Sequence, residues 1–543
     1  MNDRRSTKRP FIAMPTAHLM ALAPLDVWAR LLFNSRGVRP RYWLRLAFVL
    51  FTSFVGMACC VHERVILFPV RMVKFRRRAV FDHPAGVVVV VGYYRSGTTH
   101  LHNLLSCDPR VVTPRWFQVL GPQGFWFGWT LIRVMLVPFL GSTRPQDGVA
   151  FGPEWPAEDD FALCNWGLCS TLPGRFVFPS RWARWSRWNT LVDASDRERN
   201  RWRSLTAMFC WKITRGRSDR VLVLKTPSHT GRIAELDRLF GGNVRFVHIA
   251  RDPTKVIDSN VNMHDRLASN LLEDAPQTQV VRDRIVEEYG QLEMRCAEEL
   301  ATIPENRVAR VRLMDLTNDP LGTLQKVYKK VGLRWDDDVT EAVGGYIRET
   351  GEYRTPSAKR TRDLGTPSED EHALCAQLRE LHGLDADAVS RVELPHPAHE
   401  PKPISFLRGV VFAMVATALF GGLWLGVIVL LHLMNSQAHM RIDQIIWGLG
   451  AVVGLVAQRA ARKGSVKLGV VCIVCVLVAW VGVLYFSSAL HWDHGSGGWN
   501  TVMHNFKDVR GRATSSAVGT FGVLAMVTAF RLGSRQGPRA PGR

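Results

Sequence analysis

One stretch near residue 90 constrains the fold more than any other part of the chain. Five consecutive valines, 87–91, run directly into Gly-Tyr-Tyr-Arg-Ser-Gly-Thr-Thr at 92–99, and a helical pattern, HLHNLLS, follows. A run of valines is typical of a strand that is buried on both faces of a parallel sheet. A glycine loop between such a strand and a helix turns backbone N–H groups and the helix N-terminus onto an anion. The stretch therefore predicts an α/β domain with an anion site at the end of its first strand.

Three further strand-like runs follow, at residues 221–224, 244–249 and 308–313, with helical patterns between them. Strands that alternate with helices indicate a parallel sheet covered by helices on both faces. We expect a P-loop-like three-layer α/β domain with a central parallel sheet over residues 81–365.

The residues of the glycine loop indicate which anion it would bind. Gly92 and Gly97 stand where a Walker A loop has its glycines, but Thr98 occupies the position of the lysine. That lysine serves the β- and γ-phosphates of a nucleoside triphosphate, so its absence argues against an NTPase or a kinase. Arg95 supplies a cation within the loop instead, which suits one phosphate group with a substituent. The structural alternative is a glycine turn that binds no ligand.

A second cationic site follows the third strand-like run. Arg251 ends the run, Asp252-Pro253 is typical of a helix start, and Ser259 lies two turns along that helix. Arg251 and Ser259 would converge on a second phosphate group. Alone the pattern is weak, because Arg-Asp-Pro could simply cap a helix. Together the two sites indicate a nucleotide that carries anionic groups at both ends of its ribose.

These residues resemble the sulfotransferases that use 3′-phosphoadenosine 5′-phosphosulfate (PAPS), of the bacterial type whose loop reads G-x-x-R-S-G-T-T. Residues 92–99 match that loop, and Arg251 and Ser259 match the family's 3′-phosphate pair, including its eight-residue offset. Residues 225–229, KTPSH, are similar to the family's K-[ST]-P-x-H segment. Residues 155–163, WPAEDDFAL, resemble P-x-E-D-E-F-A-L, with Asp160 in place of the second Glu.

The segment at 144–148 also resembles the family, and the whole resemblance covers about residues 40–365. It implies that PAPS is the donor and that no metal is needed. It also implies the donor-binding residues, which are Gly92, Arg95, Ser96, Gly97, Thr98, Thr99, Arg251 and Ser259. Lys225 would neutralise the bridging oxygen or the sulfuryl group.

The acceptor must lose a proton, so a general base is needed within hydrogen-bond reach. Glu158 and Asp159 lie in an acidic triplet, and clustered carboxylates raise one another's pKa. Histidine is the side chain whose ordinary pKa lies nearest neutrality, so His229 is the second candidate. We favour Glu158 as the base, with His229 orienting or replacing it, so that the candidate catalytic residues are Glu158, Asp159, His229 and Lys225. The structural alternatives are a triplet that caps a helix and a His229 that is a buried hydrogen-bond donor.

No metal motif and no dinucleotide fingerprint is visible in the sequence. Cys472 and Cys475 form a Cys-x-x-Cys pattern, but they lie in an apolar run and are interpreted as small buried hydrophobes.

The C-terminal part of the chain has a different composition. The chain of 543 residues carries a net charge of +22, yet its mean hydropathy is near zero, which indicates a basic part averaged with a very apolar one. Apolar runs predict four transmembrane helices, at 409–434, 442–457, 468–490 and 514–530. Lysines and arginines lie between the second and third runs and after the fourth run. Such cations favour the cytoplasmic side of a membrane, so we expect both segments there. Counting back through the spans places the catalytic domain in the cytoplasm as well. We therefore expect a multi-pass protein of the bacterial inner membrane.

The N-terminal part contains a shorter apolar run, residues 46–61, with cations on both sides. Sixteen residues are few for a span, and basic flanks favour a helix that lies in the membrane interface over one that crosses. The predicted domains are a basic N-terminal region (1–80), the sulfotransferase domain (81–365), a helix at 369–384 with a Pro-rich linker (together 366–403), four transmembrane helices (404–531) and a basic tail (532–543).

Two features bear on the acceptor, which carries a hydroxyl or an amine. The resemblance implies that the apolar stretch 116–141 belongs to the acceptor-side cap, and it could be buried core, an acceptor-binding lid or a surface that dips into the bilayer. Trp182, Trp185 and Trp188 alternate with arginines in a predicted amphipathic helix. Such a helix suits a membrane interface or a docked cap. A lipid bilayer is therefore an expected partner and a lipid-linked acceptor is a hypothesis, whereas no nucleic-acid recognition module is present.

Three other functions fit parts of the sequence. A catalytically inactive, membrane-tethered nucleotide-binding protein would bind the donor without transfer. A P-loop kinase-like phosphotransferase conflicts with Thr98. A transporter would need polar residues inside the predicted spans, and almost none occur there.

Overall fold

The computed structural model describes residues 18–35, 37–75, 80–128, 152–350, 364–384 and 472–475. The four predicted transmembrane segments lie outside these residues, apart from 472–475, as do the segments 144–148 and 354–362. Within the described residues, no helix combines the length and the apolar character that crossing a membrane requires. The four-span prediction therefore stays a prediction.

The described strands form one five-stranded sheet in the order β2-β3-β1-β4-β5, and every neighbouring pair is parallel. The strands are β1 (Val87–Val91), β2 (Val111–Val112), β3 (Val221–Lys225), β4 (Val244–Ala250) and β5 (Val308–Arg312). The prediction of a central parallel sheet is confirmed, and each predicted strand ends within one residue of the observed one. β2 was missed because a two-residue strand leaves no pattern in the sequence.

The helices surround this sheet. Those of the first part are α1 (Leu25–Phe33), α2 (Trp43–Lys74), α3 (Thr98–Leu105), α4 (Trp116–Leu120), α5 (Asp159–Gly167), α6 (Trp182–Thr190) and α7 (Asp196–Thr214). Those of the second part are α8 (Ile233–Leu239), α9 (Pro253–Arg266), α10 (Thr278–Ala301), α11 (Leu313–Asn318), α12 (Pro320–Lys330), α13 (Asp337–Thr350) and α14 (Glu369–His382). The predicted helix at 369–384 is thus present as α14.

The core has two halves, one on each face of the sheet. Val88 and Val90 pack with apolar side chains of α3 and α11–α13, whereas Val87, Val89 and Val91 face the other helices, including α1 and α2. Alternate side chains of a strand point to opposite faces, so a strand between two helical layers must be apolar at every position. This explains the run of five valines and gives the predicted three layers.

The N-terminal apolar run at 46–61 lies within α2, which has 32 residues. One side of α2 packs on the domain: Ser53 and Glu63 are buried, and Glu63 accepts a hydrogen bond from the buried ammonium of Lys212 on α7. The helix is therefore part of the same core as the sheet. Its placement in a membrane interface stays a prediction.

Candidate active site

The carboxyl ends of β1, β3 and β4 meet at one edge of the sheet. β1 lies between β3 and β4, and the chain passes from one side of β1 to the other between them. Ligands of open α/β sheets bind at this edge, where the strand order reverses. All of the sequence-predicted site residues that follow these strands are brought together here.

The donor loop, residues 92–97, requires its two glycines. Gly92 and Gly97 have φ values of 141° and 104°, which side chains rarely adopt. A Cβ atom on Gly92 would lie 2.5 Å from the carbonyl oxygen of Ile249, and one on Gly97 would lie 2.6 Å from Cδ1 of Leu313. Gly97 immediately precedes α3, so the loop delivers the N-terminus of that helix to the sheet edge.

Three hydrogen bonds to side chains of other segments hold the loop backbone in place. The N–H of Gly92 donates to Oγ1 of Thr230 over 2.8 Å, and the N–H of Tyr93 donates to Oε1 of Glu293 over 3.1 Å. Nδ2 of Asn260 donates to the carbonyl oxygen of Tyr94 over 2.7 Å. No sequence motif predicted the roles of Thr230, Asn260 and Glu293. Thr230 directly follows the KTPSH segment, which was the one available signal.

The two predicted anion sites form one continuous cationic surface. Nε of Arg95 donates to Oγ of Ser259 over 3.0 Å, and Nη1 of Arg251 donates to the carbonyl oxygen of Arg95 over 3.1 Å. Asp252 caps α9 by accepting from the N–H of Lys255, which confirms the predicted helix start. Two guanidinium groups and a hydroxyl thus lie beside the loop, and this donor set suits separated phosphate groups.

Glu158 and Lys225 form the central ion pair of the site. Nζ of Lys225 lies 2.6 Å from Oε1 of Glu158 and 3.2 Å from Oγ1 of Thr99 at the start of α3. The Lys225 side chain is 2% exposed and that of Glu158 is 15% exposed. Lys225 thus links the acidic triplet to the donor loop, and Glu158 is the partner that solvent reaches.

Asp159 and His229 form a second, fully buried pair. Nε2 of His229 lies 2.8 Å from Oδ2 of Asp159, and Oγ1 of Thr226 donates to Oδ1 of the same carboxylate over 2.9 Å. The other ring nitrogen, Nδ1, faces Nη1 of Arg232 at 3.5 Å. Because a guanidinium can only donate, Nδ1 accepts and Nε2 carries the proton. Both nitrogens of His229 are therefore engaged within the protein.

Asp160 has a third partner. Nη1 of Arg232 lies 3.1 Å from its Oδ1, and the Ser170 hydroxyl donates to its Oδ2. The three neighbouring carboxylates do not share one site, because successive side chains at the start of α5 point in different directions. Glu158, which precedes this helix, makes no capping hydrogen bond with its side chain, so the capping alternative does not describe it.

The expectation that these clustered carboxylates raise one another's pKa holds only in part. Burial raises the pKa of Asp160, and the neighbouring Asp159 raises it further. Burial would raise the pKa of Asp159 too, but His229 and the hydrogen bond from Thr226 outweigh it and hold that pKa below its usual value. Asp159 therefore stays ionised as the acceptor for His229.

The tryptophan-rich helix α6 is a docked cap. Trp182, Trp185 and Trp188 are buried, while Arg184 is exposed. Trp182 donates from Nε1 to the buried Glu288 over 3.1 Å. Of the two sequence interpretations, the cap helix describes its packing, since the indole rings that would enter a membrane are in the core.

Several known proteins are similar to this chain. The family model described as "Sulfotransferase family" matches residues 151–337. The omega-hydroxy-beta-dihydromenaquinone-9 sulfotransferases Stf3 of Mycobacterium bovis and Mycobacterium tuberculosis are each 28% identical over 346 residues, which cover 62% of this chain and 84% of theirs.

Solved structures of sulfotransferases are also similar. Those of STF1 from Mycobacterium tuberculosis and STF9 from Mycobacterium avium are each 16% identical, with TM-scores of 0.46 and 0.48. The alignments cover 66% and 69% of this chain and 90% and 94% of those chains.

The acidic triplet, Lys225, His229, Arg251 and Ser259 all lie inside the matched range, and the donor loop precedes it. The chain is therefore similar to the sulfotransferase family over residues 151–337.

Proposed function

We propose that this protein transfers a sulfuryl group from PAPS to a hydroxyl or amine of an acceptor. The observation that carries the proposal is the Glu158–Lys225 pair at 2.6 Å, which lies beside Thr99 in the helix that follows the donor loop. A carboxylate and an ammonium in contact at a phosphate-binding loop supply the two groups that sulfuryl transfer needs, a base for the acceptor and a cation for the leaving group.

The residues present fit PAPS as the donor. The loop amides and the N-terminus of α3 suit its 5′-phosphosulfate, while Arg251 and Ser259 suit its 3′-phosphate. PAPS supplies the sulfuryl group, which passes to the acceptor while 3′-phosphoadenosine 5′-phosphate leaves. Thr98, where a kinase has its lysine, is buried and offers no cation to a nucleoside triphosphate.

Lys225 and Glu158 have complementary tasks. The ammonium of Lys225 stabilises the negative charge that develops on the leaving phosphate oxygen. As Lys225 turns toward that oxygen, it releases Glu158. The freed carboxylate takes the proton of the acceptor hydroxyl, whose oxygen then bonds to sulfur as the sulfur–oxygen bond to the leaving phosphate breaks.

Asp159 and His229 act as positioning residues in this scheme. His229 is fully buried, and Asp159 holds it through the proton on Nε2. The pair fixes the first turn of α5 against the segment that follows β3, so that Glu158 and Lys225 stay in contact. This refines the sequence-based proposal, in which His229 could replace Glu158.

For the acceptor, we propose a hydroxylated lipid. The Stf3 relatives are described as acting on omega-hydroxy-beta-dihydromenaquinone-9, which is a menaquinone with a hydroxyl group. On α2, Phe51, Phe54, Val65 and Phe68 are each more than half exposed, and their spacing places them on one face. We propose that this apolar stripe rests on a lipid bilayer, where such an acceptor would dissolve. The net charge of +22 favours anionic lipid.

The activity is tested with the full chain, ³⁵S-labelled PAPS and detergent-dispersed hydroxylated menaquinone. We expect label in the lipid, at least about a hundredfold less of it per unit time with Glu158→Gln, and none when γ-labelled ATP replaces PAPS. Tight PAPS binding without transfer to menaquinone, a soluble phenol, a glycan or an amine would favour the catalytically inactive alternative. Transfer to the phenol alone would reject the lipid acceptor but keep the sulfotransferase.

The membrane proposal has its own test. In a flotation assay, the wild-type protein should move with vesicles of phosphatidylglycerol and phosphatidylcholine. A smaller fraction of the double variant Phe54→Ser, Phe68→Ser should do so. Because the predicted transmembrane segments would also bind lipid, the readout is hydrogen exchange within α2. Protection of α2 that vesicles do not change would contradict a role for this stripe.

A further inference from the structure

The fold gathers two histidines and a carboxylate that are far apart in the sequence. His248 lies on β4, Glu293 on α10 and His382 at the C-terminal end of α14. Oε2 of Glu293 is 2.9 Å from Nε2 of His248 and 3.2 Å from Nε2 of His382. The three ligand atoms lie within 4.8 Å of one another.

One atom of this cluster has no hydrogen bond. Nε2 of His382 is buried and makes no hydrogen bond, although it lies 3.2 Å from Oε2 of Glu293 in an ion pair. A buried polar atom without a partner is costly and rare, and it needs an explanation. A ligand between the two imidazoles and the carboxylate would give the nitrogen a partner.

The coordinating atoms of this cluster indicate which class of metal ion it would bind. Two imidazole nitrogens and one carboxylate oxygen are the donors of zinc-type sites, whereas magnesium and calcium prefer oxygen alone. In a tetrahedral site with bonds of about 2.1 Å, neighbouring donor atoms are about 3.4 Å apart. The observed separations of 2.9 and 3.2 Å are close to this value. The two imidazole rings stack with centroids 4.8 Å apart, and the Nε2 atom of each lies beside Oε2 of Glu293.

We propose that His248, Glu293 and His382 bind a divalent metal ion of the zinc class, with a fourth position left for water. The site is independent of the transfer chemistry, because none of its ligands belongs to the Glu158–Lys225 pair. Its role is structural: Oε1 of Glu293 accepts from the N–H of Tyr93 in the donor loop, so the metal fastens α14 to the loop through one carboxylate.

α14 is already held in place without a metal. Arg379 donates to Asp252 and to Thr254, each over 2.9 Å, and Glu371 forms a buried pair with Arg282. These contacts bring His382 to the cluster before any ion binds. The site is thus preorganised, which lowers the conformational cost of binding.

The test uses the full chain, stripped with EDTA and dialysed, and titrated with zinc chloride in a calorimeter. We expect one tight ion per chain and a rise in melting temperature on binding. His382→Ala and Glu293→Gln should each weaken this binding at least tenfold. His372→Ala, an exposed histidine of the same helix, should bind zinc as the wild type does.

A second variant keeps the proposal testable if His382→Ala fails to fold. His382→Cys retains a zinc-type ligand, so its cobalt complex should gain a thiolate-to-cobalt absorption band that the wild type lacks. No tight zinc binding by the folded wild type would overturn the proposal. So would tight binding that His382→Ala, Glu293→Gln and His382→Cys leave unchanged, since the ion would then lie elsewhere.

Discussion

At the scale of single residues, the partner of each charge decides its role. Glu158 and Asp159 are neighbours in sequence, yet Glu158 pairs with Lys225 at the donor loop and Asp159 pairs with buried His229. The first pair can open toward a substrate because Glu158 is partly exposed. The second pair is enclosed, and in the proposed mechanism its carboxylate only positions His229.

The first prediction concerns the base. Glu158→Gln removes proton acceptance but keeps the shape of the side chain. We expect kcat to fall by about 10²- to 10⁴-fold, the usual contribution of a general base, while the dissociation constant for PAPS changes little. Steady-state rates and equilibrium dialysis measure the two quantities.

The matched control for this prediction is Glu287→Gln, an exposed glutamate on α10, which should keep the wild-type rate. A Glu158→Gln enzyme with a kcat within twofold of wild type would assign the proton transfer to another group.

At the scale of elements, the strand–loop–helix unit depends on its glycines. Gly97→Ala places a Cβ atom 2.6 Å from Leu313 at a φ of 104°. We expect a loss of unfolding free energy of about 2–4 kcal/mol, from backbone strain and overpacking together, and weaker PAPS binding. Urea denaturation and donor titration measure these effects.

Gly216→Ala is the control for backbone strain. Gly216 also has a positive φ, 72°, but nothing lies within 4 Å of the added Cβ atom. Its cost should therefore be only about 1–2 kcal/mol, with donor affinity unchanged. Equal effects of the two variants would show that contact with Leu313 is unimportant.

The segment before α1 contains a pH-sensitive contact. His18 is buried, with Nε2 3.0 Å from the carbonyl oxygen of Asn270 and Nδ1 accepting from the N–H of Met20. Burial lowers the pKa of His18 from 6.5 to about 4. Between pH 6.5 and 4, His18 is therefore protonated in the unfolded chain but neutral in the folded chain. The free energy of unfolding falls as the pH drops through this range.

The third prediction follows from this sign. At pH 5 the contribution lost by the wild type is on the order of 2 kcal/mol relative to pH 7.5. His18→Gln should lack this part of the pH dependence, whereas exposed His372→Gln should keep it. Unfolding free energies at the two pH values decide the matter, and identical pH profiles for all three proteins would contradict it.

At the scale of the whole molecule, a buried ion pair fastens the N-terminal helix to the domain. Lys212 on α7 and Glu63 on α2 are both fully buried, and the N–H of Trp126 also donates to Glu63 over 2.9 Å. Burial lowers the pKa of Lys212, and Glu63 opposes that shift. The pair thus joins elements that the sequence analysis had placed in separate domains.

The fourth prediction is that Glu63→Ala costs about 3–5 kcal/mol, because it leaves an uncompensated buried ammonium. The double variant Glu63→Leu with Lys212→Met should recover much of the loss, since no buried charge remains. Chemical denaturation measures both. Glu305→Ala, which breaks the exposed pair with Lys330, should have no measurable effect; an equally small effect of Glu63→Ala would mean that solvent reaches Lys212.

Local sequence determined a large part of this protein. Three features each depend on a few consecutive residues. Burial on both faces requires the valine run, positive φ requires the glycines of the loop, and side-chain capping sets the start of α9. The eight-residue offset between Arg251 and Ser259 lies on one helix, so it too was readable. The fold of the sheet, and the proximity of the glycine loop to Arg251 and Ser259, could be predicted for this reason.

Only the tertiary structure decided the pairings between distant residues. Lys225 meets Glu158 across 67 positions, and Glu293 reaches Tyr93 across 200. The His248, Glu293 and His382 cluster spans three separate elements and leaves no spacing motif. Such contacts depend on how helices pack on the sheet, and packing is set by the combined shape of many side chains, which no short pattern in the sequence records.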